Sequence, residues 1–178
     1  GCAGDAYRPA EGLSADQAAA FHEAQARALA AAGADFLLAA TLPNVAEAQG
    51  VAMAMRDCPI PYLLSFVLGR DGKVLDETPL HDAVTAIDAA VSPRPLCYLV
   101  NCVHPTVFEA ALGSMPARLR HVNDRVIGLQ ANASAKSPEE LEGLCYVDAD
   151  PPEVLADWMA RLHRRFGTKI LGGCCGTD

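Results

Sequence analysis

Apolar positions along the chain follow two rhythms. After Ser14, apolar and small residues recur at helical spacing (Ala18, Phe21, Ala24, Ala28, Leu29) until Gly33. Ser14 offers an N-cap oxygen and Gly33 a stop, so the spacing predicts a helix to about Ala32. Residues 35–41 (DFLLAAT) then form a short unbroken apolar run, which suits a buried parallel strand. The alternation repeats. Asn44 caps a helix through Met55, and 61–67 (PYLLSFV) is the next strand. Pro79 opens a helix to about Ala90, followed by a strand at 95–101 (PLCYLVN). Thr106 to Leu112 reads as helix, and 125–131 (RVIGLQA) as strand. Pro152 starts a helix to Phe166, and 169–172 (KILG) is the fifth strand. Strands alternating with helices imply parallel βαβ units and an α/β fold. No linker or compositional break divides the chain, so residues 1–178 are expected to form a single domain.

Five such units fall short of a closed eight-stranded barrel, which takes about 250 residues. The chain opens at Gly1 without a start methionine and stops just after a strand. The pattern therefore leaves two architectures open: an open sheet, or the later part of a larger (β/α)8 TIM barrel.

Composition narrows the function classes. With 51% hydrophobic and 20% charged residues the chain reads as globular. A net charge of −8 argues against a general nucleic-acid binder, which needs a basic face. The one dense basic stretch, Arg161 to Arg165, ends a helix and complements its dipole. No apolar run approaches the roughly 18 residues of a membrane span, and no N-terminal signal pattern is visible. The expectation is a cytoplasmic chain whose seven cysteines are reduced. On that footing the Asn132-Ala-Ser134 glycosylation pattern is incidental.

Candidate chemistry gathers after the strands. Thr41, Ser65, Asn101 with Cys102, Asn132 with Ser134, and Cys174 with Cys175 all follow apolar runs. In parallel α/β folds the carboxyl ends of the strands share one face, and that face carries the site. Cys102 and the Cys174–Cys175 pair can thus converge. Three thiolates suffice for a catalytic zinc site, in which a fourth position stays open. Gly172, Gly173 and Gly176 let the backbone bend so that neighbouring side chains reach one ion. The competing reading is a vicinal Cys174–Cys175 disulfide with a redox role. His104 is an alternative ligand or a loop residue before Pro105. Asn101 and Asn132 either position a substrate or cap the following helices. Gly1 to Tyr7 either lines the site or is an ordinary loop. Cys58, Cys97 and Cys145 read as small buried apolar residues, Trp158 and Met159 as core, His22 as structural or solvated, and Asp16, Glu23 and Arg27 as a solvated helix face.

Asn101-Cys102 and Gly172-Gly-Cys-Cys-Gly-Thr177 resemble the zinc-binding signature of the homocysteine S-methyltransferases. Ala40-Thr-Leu-Pro-Asn44 with Glu47-Ala48 is similar to that family's Glu-Thr-x-Pro segment. Ser65-Phe66, Asp71-Gly72 and Asp76 to Leu80 follow its middle region, so the resemblance spans nearly the whole chain. It implies a (β/α)8 barrel with zinc cysteines after strands six and eight. The five strands then become strands four to eight of an incomplete barrel of about five βα units. It implies zinc held by Cys102, Cys174 and Cys175, with Asn101, Asn132, Ser65 and Thr41 as substrate contacts. The implied reaction is methyl transfer from a small-molecule donor to a thiol, homocysteine giving methionine; the donor and the oligomeric state stay open. Two departures bear on the acceptor. Ala40 stands where the family carries a glutamate for the substrate's ammonium group, and the family's N-terminal Asp-Gly segment is not in this chain. Methylation of another thiol is therefore the alternative, and a non-catalytic zinc-binding or redox fragment the alternative from another class. Exposed sheet edges lead us to expect poor solubility or inactivity of the 178-residue chain alone.

Overall fold

A computed structural model describes residues 1–116 and 119–177. Five strands pair in chain order into one parallel sheet: β1 (Leu37–Leu42), β2 (Tyr62–Phe66), β3 (Cys97–Val103), β4 (Val126–Ala131) and β5 (Ile170–Gly173). Helices α1 (Ala15–Ala31), α2 (Val45–Arg56), α3 (Leu80–Ala90), α4 (Pro105–Gly113) and α7 (Pro152–Phe166) fall where the periodicity places them. The short helices α5 (Arg120–Asn123) and α6 (Pro138–Leu141) and a 3-10 turn at Pro9–Glu11 carry too few residues to show a period.

The helix starts follow from local chemistry. Ser14 and Gln17 form a reciprocal capping box at α1. The Asn44 side chain accepts the Glu47 N–H at 2.8 Å and starts α2. Gly167, with φ 70, ends α7 in the left-handed region, where a Cβ would be strained.

The helices pack on one face of the sheet. Leu64, Phe66, Tyr98, Val100 and Leu129 point toward them and share a core with Val51, Ile87, Phe108 and Leu162. The alternate residues Leu63, Cys97 and Leu99 form a smaller cluster with Ile127 on the opposite face. At the sheet edges, β1 and β5 each pair with one neighbour. The two edges differ: Leu37, Ala39 and Leu42 of β1 are buried, whereas Ile170 and Leu171 of β5 are 37% and 43% exposed.

The buried face of α1 also differs from the expected stripe. It consists of Ala18, His22 and Ala26, whereas Phe21 and Leu29 are 61% and 49% exposed. The reason is how closely α1 approaches α2. A Cβ placed on Gly50 would come within 2.6 Å of the Ala18 Cβ, so only small side chains fit at the crossing. His22 is buried there with Glu47, its Nε2 3.8 Å from the Glu47 Oε1, and burial pushes its pKa down. Asp16, Glu23 and Arg27 are solvated as expected. Cys97 is buried, but Cys58 is only partly so and Cys145 is exposed, in a loop with no element packed over it. Trp158 and Met159 are half-buried on α7 rather than enclosed.

The amino ends of the strands are closed by a charged cluster. Arg125 donates to both Asp88 carboxylate oxygens, at 2.9 and 3.1 Å, and to the carbonyls of Leu96 and Pro95. The Tyr98 hydroxyl donates to Asp88 at 2.9 Å, and the guanidinium lies 5.5 Å from the Tyr98 ring centroid. The guanidinium makes four hydrogen bonds within the cluster, so its half-buried charge is well partnered.

Candidate metal centre

At the carboxyl ends the strands are irregular. On β1, Ala39 pairs with Leu64 and Leu42 with Phe66, so Ala40 and Thr41 together oppose Ser65. On β3, Asn101 pairs with Gln130 and Val103 with Ala131, which makes Cys102 the extra residue of a bulge. Thr41 and Cys102 sit in the left-handed region, at φ 60 and 55, which non-glycine residues seldom adopt. A bulge bends the strand and re-aims the side chain it inserts. Here it turns Cys102 out of the alternation that would bury it with Tyr98 and Val100.

Between these two bulges sits Asn101, 3% exposed. Its Oδ1 accepts the Thr41 N–H at 2.8 Å and the Ser65 hydroxyl at 2.7 Å. Its Nδ2 donates to the Thr41 hydroxyl at 2.7 Å. Three of the four residues expected to contact substrate are thus bound to one another. The fourth, Asn132, accepts the Ser134 N–H at 3.0 Å through Oδ1, and among the described residues nothing engages its Nδ2.

The cysteines converge as the strand count requires. Cys174 leaves β5 with its N–H on the Ala131 carbonyl, and the Cys175 carbonyl accepts the Ala133 N–H. These two bonds lay the glycine-rich turn against the end of β4. The Sγ atoms of Cys102, Cys174 and Cys175 all lie within 4.8 Å of one another. Cys102 and Cys174 are paired sulfur to sulfur, with Cα atoms 5.7 Å apart. The partner of Cys174 is therefore not its neighbour, which replaces the vicinal disulfide considered from sequence. Cys175 is a free thiol, 3.9 Å from the Cys174 sulfur. A tetrahedral ion with bonds of about 2.3 Å spaces its sulfur ligands about 3.8 Å apart. The 3.9 Å between Cys174 and Cys175 matches that spacing, and with the Cys102–Cys174 pair reduced and parted the three thiols, all within 4.8 Å of one another, fit a metal ion.

His104 does not join them. It caps α4, with Nδ1 2.8 Å from the Thr106 hydroxyl and Nε2 3.0 Å from Asp150. Both ring nitrogens are taken, which removes it as an alternative ligand.

Beside the cysteines opens a cavity of about 380 Å³. Cys102, Asn132 and Ser134 present polar atoms to it, and Val67, Leu75 and Val107 form apolar wall. Of the Gly1–Tyr7 segment, Tyr7 lines it too. Burial, then the neighbouring Cys175, push the Tyr7 phenol up. At the rim, Lys136 Nζ lies 2.7 Å from Asp148, and that hydrogen bond holds the carboxyl below its ordinary range. Arg70 pairs with Glu140. Lys136 and Asp148 were not singled out from sequence; they come from the loop after β4, whose only signal is its position after a strand.

Comparison with known proteins agrees with this arrangement. The sequence profile of the family described as homocysteine S-methyltransferase matches residues 1–178. The homocysteine S-methyltransferase of Escherichia coli (strain K12) is 29% identical over 98% of this chain and 54% of its own length. The homocysteine S-methyltransferase YbgG of Bacillus subtilis (strain 168) is 27% identical over 98% of this chain and 53% of its own. The crystal structure of the homocysteine methyltransferase MmuM from Escherichia coli in its metallated form superimposes with a TM-score of 0.67 at 26% identity, covering 99% of this chain and 52% of that one. Its oxidized form gives 0.68 over 98% and 52%. The chain spans about half the length of the relatives it matches. With the profile covering every residue from Gly1 to Asp178, the chain belongs to the homocysteine S-methyltransferase family.

Proposed function

We propose that this chain carries the metal-binding half of a zinc-dependent enzyme that transfers a methyl group to the thiol of homocysteine. The observation that carries the reading is the convergence of Cys102, Cys174 and Cys175 from the ends of β3 and β5. An all-sulfur donor set favours a borderline-soft ion such as zinc over calcium or magnesium. When bound, zinc would supply the positive charge that keeps a coordinating thiol deprotonated near neutral pH. The residues of the chain do the rest. The three cysteines leave a fourth direction open toward the cavity. Val67, Leu75 and Val107 keep water from the acceptor sulfur, and the free Nδ2 of Asn132 offers a donor to the acceptor's polar end. The acceptor thiol releases its proton to solvent, its sulfur forms a bond to the methyl carbon, and the donor's bond to that carbon breaks, the demethylated donor keeping the electron pair. No general base on the protein is required for this transfer.

The family and the β1 and β5 edges, each paired on one side only, support assigning the sheet to strands four to eight of a (β/α)8 barrel. A second reading concerns the acceptor. Ala40 carries no carboxylate for an amino acid's ammonium group, which favours a different thiol.

Titration of the reduced chain with cobalt and then zinc tests the proposal. We expect about one ion per chain, a thiolate-to-cobalt charge-transfer band, and a stronger band when homocysteine is added as a fourth sulfur ligand. A reduced chain that takes no metal would sink the proposal and favour the redox reading of the Cys102–Cys174 pair. A response to other small thiols but not to homocysteine would select the second acceptor.

A further inference from the structure

We propose that Asn101 is a positioning residue for Cys102, holding the bulge that aims this thiol at the metal through a clamp across β1, β2 and β3. The inference rests on the metal reading above and changes the role expected of Asn101, Thr41 and Ser65 from substrate contact to support of a ligand.

The argument starts from the backbone. Cys102 is the extra residue of the β3 bulge and has φ 55; Thr41 is one of the two β1 residues that oppose the single Ser65 and has φ 60. A non-glycine residue in that region is strained and persists only where its surroundings over-determine it. What surrounds both is the side chain of Asn101. It takes the Thr41 N–H that the bulge removes from the ladder, and it takes the Thr41 hydroxyl, so β1 cannot relax. It takes the Ser65 hydroxyl, which is fully buried on β2. Asn101 itself immediately precedes Cys102, so fixing its side chain fixes the direction in which the chain enters the bulge.

The amide is nearly used up by this work. Both acceptor directions of Oδ1 and one of the two Nδ2 hydrogens are engaged at 2.7–2.8 Å within the protein. A buried group so occupied has little left for a substrate. An apolar residue at 101 would leave the Thr41 N–H and the Ser65 hydroxyl without partners, a penalty best relieved by letting the bulge shift. Outer groups that orient metal ligands typically change metal affinity by about 10- to 100-fold when removed.

The test is zinc affinity of the reduced chain, read by competition with a chromophoric chelator, with folding followed by circular dichroism. Asn101→Ala should bind zinc about 10- to 100-fold more weakly. Ser65→Ala and Thr41→Val each remove one of the three bonds and should weaken it about 2- to 10-fold. Tyr98→Phe removes a buried hydrogen bond at the other end of the same sheet; it should lower the melting temperature and leave zinc affinity within about twofold. A merely structural Asn101 would behave like Tyr98. Folded Asn101→Ala with the zinc affinity of the unsubstituted chain overturns the proposal. If that variant does not fold, unchanged affinity in both Ser65→Ala and Thr41→Val overturns it. Absence of zinc binding by the unsubstituted chain is a different result: it removes the metal reading, and this one with it.

Discussion

The two ends of the sheet solve the same problem in opposite ways. Each buries polar groups in a low-dielectric setting, where an unpartnered group is costly. At the amino ends, Asp88, Arg125, Tyr98 and two backbone carbonyls answer one another completely. The β3–β4 ladder shifts register once there, between Tyr98 and Leu99, and the polar groups are spent on one another. At the carboxyl ends, Asn101, Ser65 and Thr41 also answer one another, but on a backbone bent by two bulges. Beyond them the three sulfurs face one another, and Cys102 also lines a cavity. The difference teaches that a complete network is stability, whereas a complete network placed under an incomplete one is support for a site. In parallel α/β folds chemistry sits at the carboxyl end and stability at the other, and this sheet follows that division.

Substitutions can break or sharpen the contrast. The largest effect should come from Cys174→Ala, which removes one of the three proposed ligands. Zinc affinity of the reduced chain should fall on the order of a hundredfold or more, while metal-free melting barely changes. Unchanged zinc stoichiometry, read by metal analysis, would contradict this. Asp88→Ala should act in the opposite sense. It strands Arg125 and Tyr98 at a site where both ionic partners are mostly buried, and should destabilise the fold by about 3 kcal/mol in urea unfolding. Its zinc affinity should not move; a loss of zinc in step with stability would show that the two ends are one unit.

Alkaline pH probes the amino end more gently. Burial raises the Tyr62 phenol from 10.0 to about 12, and burial pushes Tyr98 up further. Between those values the folded chain keeps a proton that the unfolded chain releases. The contribution to stability is therefore complete below pH 10.0 and is lost as pH rises through about 12. Urea midpoints should fall over that window, and Tyr62→Phe should flatten the fall; an unchanged slope in that variant would remove Tyr62 as the cause. The smallest effect is expected from Glu109→Gln. Glu109 joins α4 to α7 through Arg161 and Arg165 at 2.8 and 2.7 Å, but both arginine side chains are 52% exposed. Solvent screening limits the pair to about 1 kcal/mol or less, with no change in zinc affinity. A shift well above that in thermal melting would place these ion pairs in the core rather than at its rim.

Much of the fold was legible because its signals are local. Ser14 and Asn44 start helices through atoms a few residues away, and the apolar runs at 35–41, 61–67, 95–101 and 125–131 overlap the strands observed, β1 and β3 running one and two residues further. The convergence of Cys102 with Cys174 and Cys175 was legible too, since parallel strands must end on one face. What was not legible depends on contacts remote in sequence. The stripe on α1 was misjudged because alanine is equally at home on either face, and Gly50 of α2 decides which one packs. His104 looked like a candidate ligand until Asp150, 46 residues on, occupied its Nε2.

The sequence by itself determined the elements, their alternation, and the three sulfurs that lie at strand ends, because helix caps, apolar periodicity and chain direction act over short distances. Only the tertiary structure decided how those sulfurs are aimed. The bulges at Thr41 and Cys102, and the side chain 60 residues from Thr41 that holds them, exist only once three strands lie side by side. Left-handed backbone is unfavourable for an isolated threonine or cysteine, so no local rule would have placed either there.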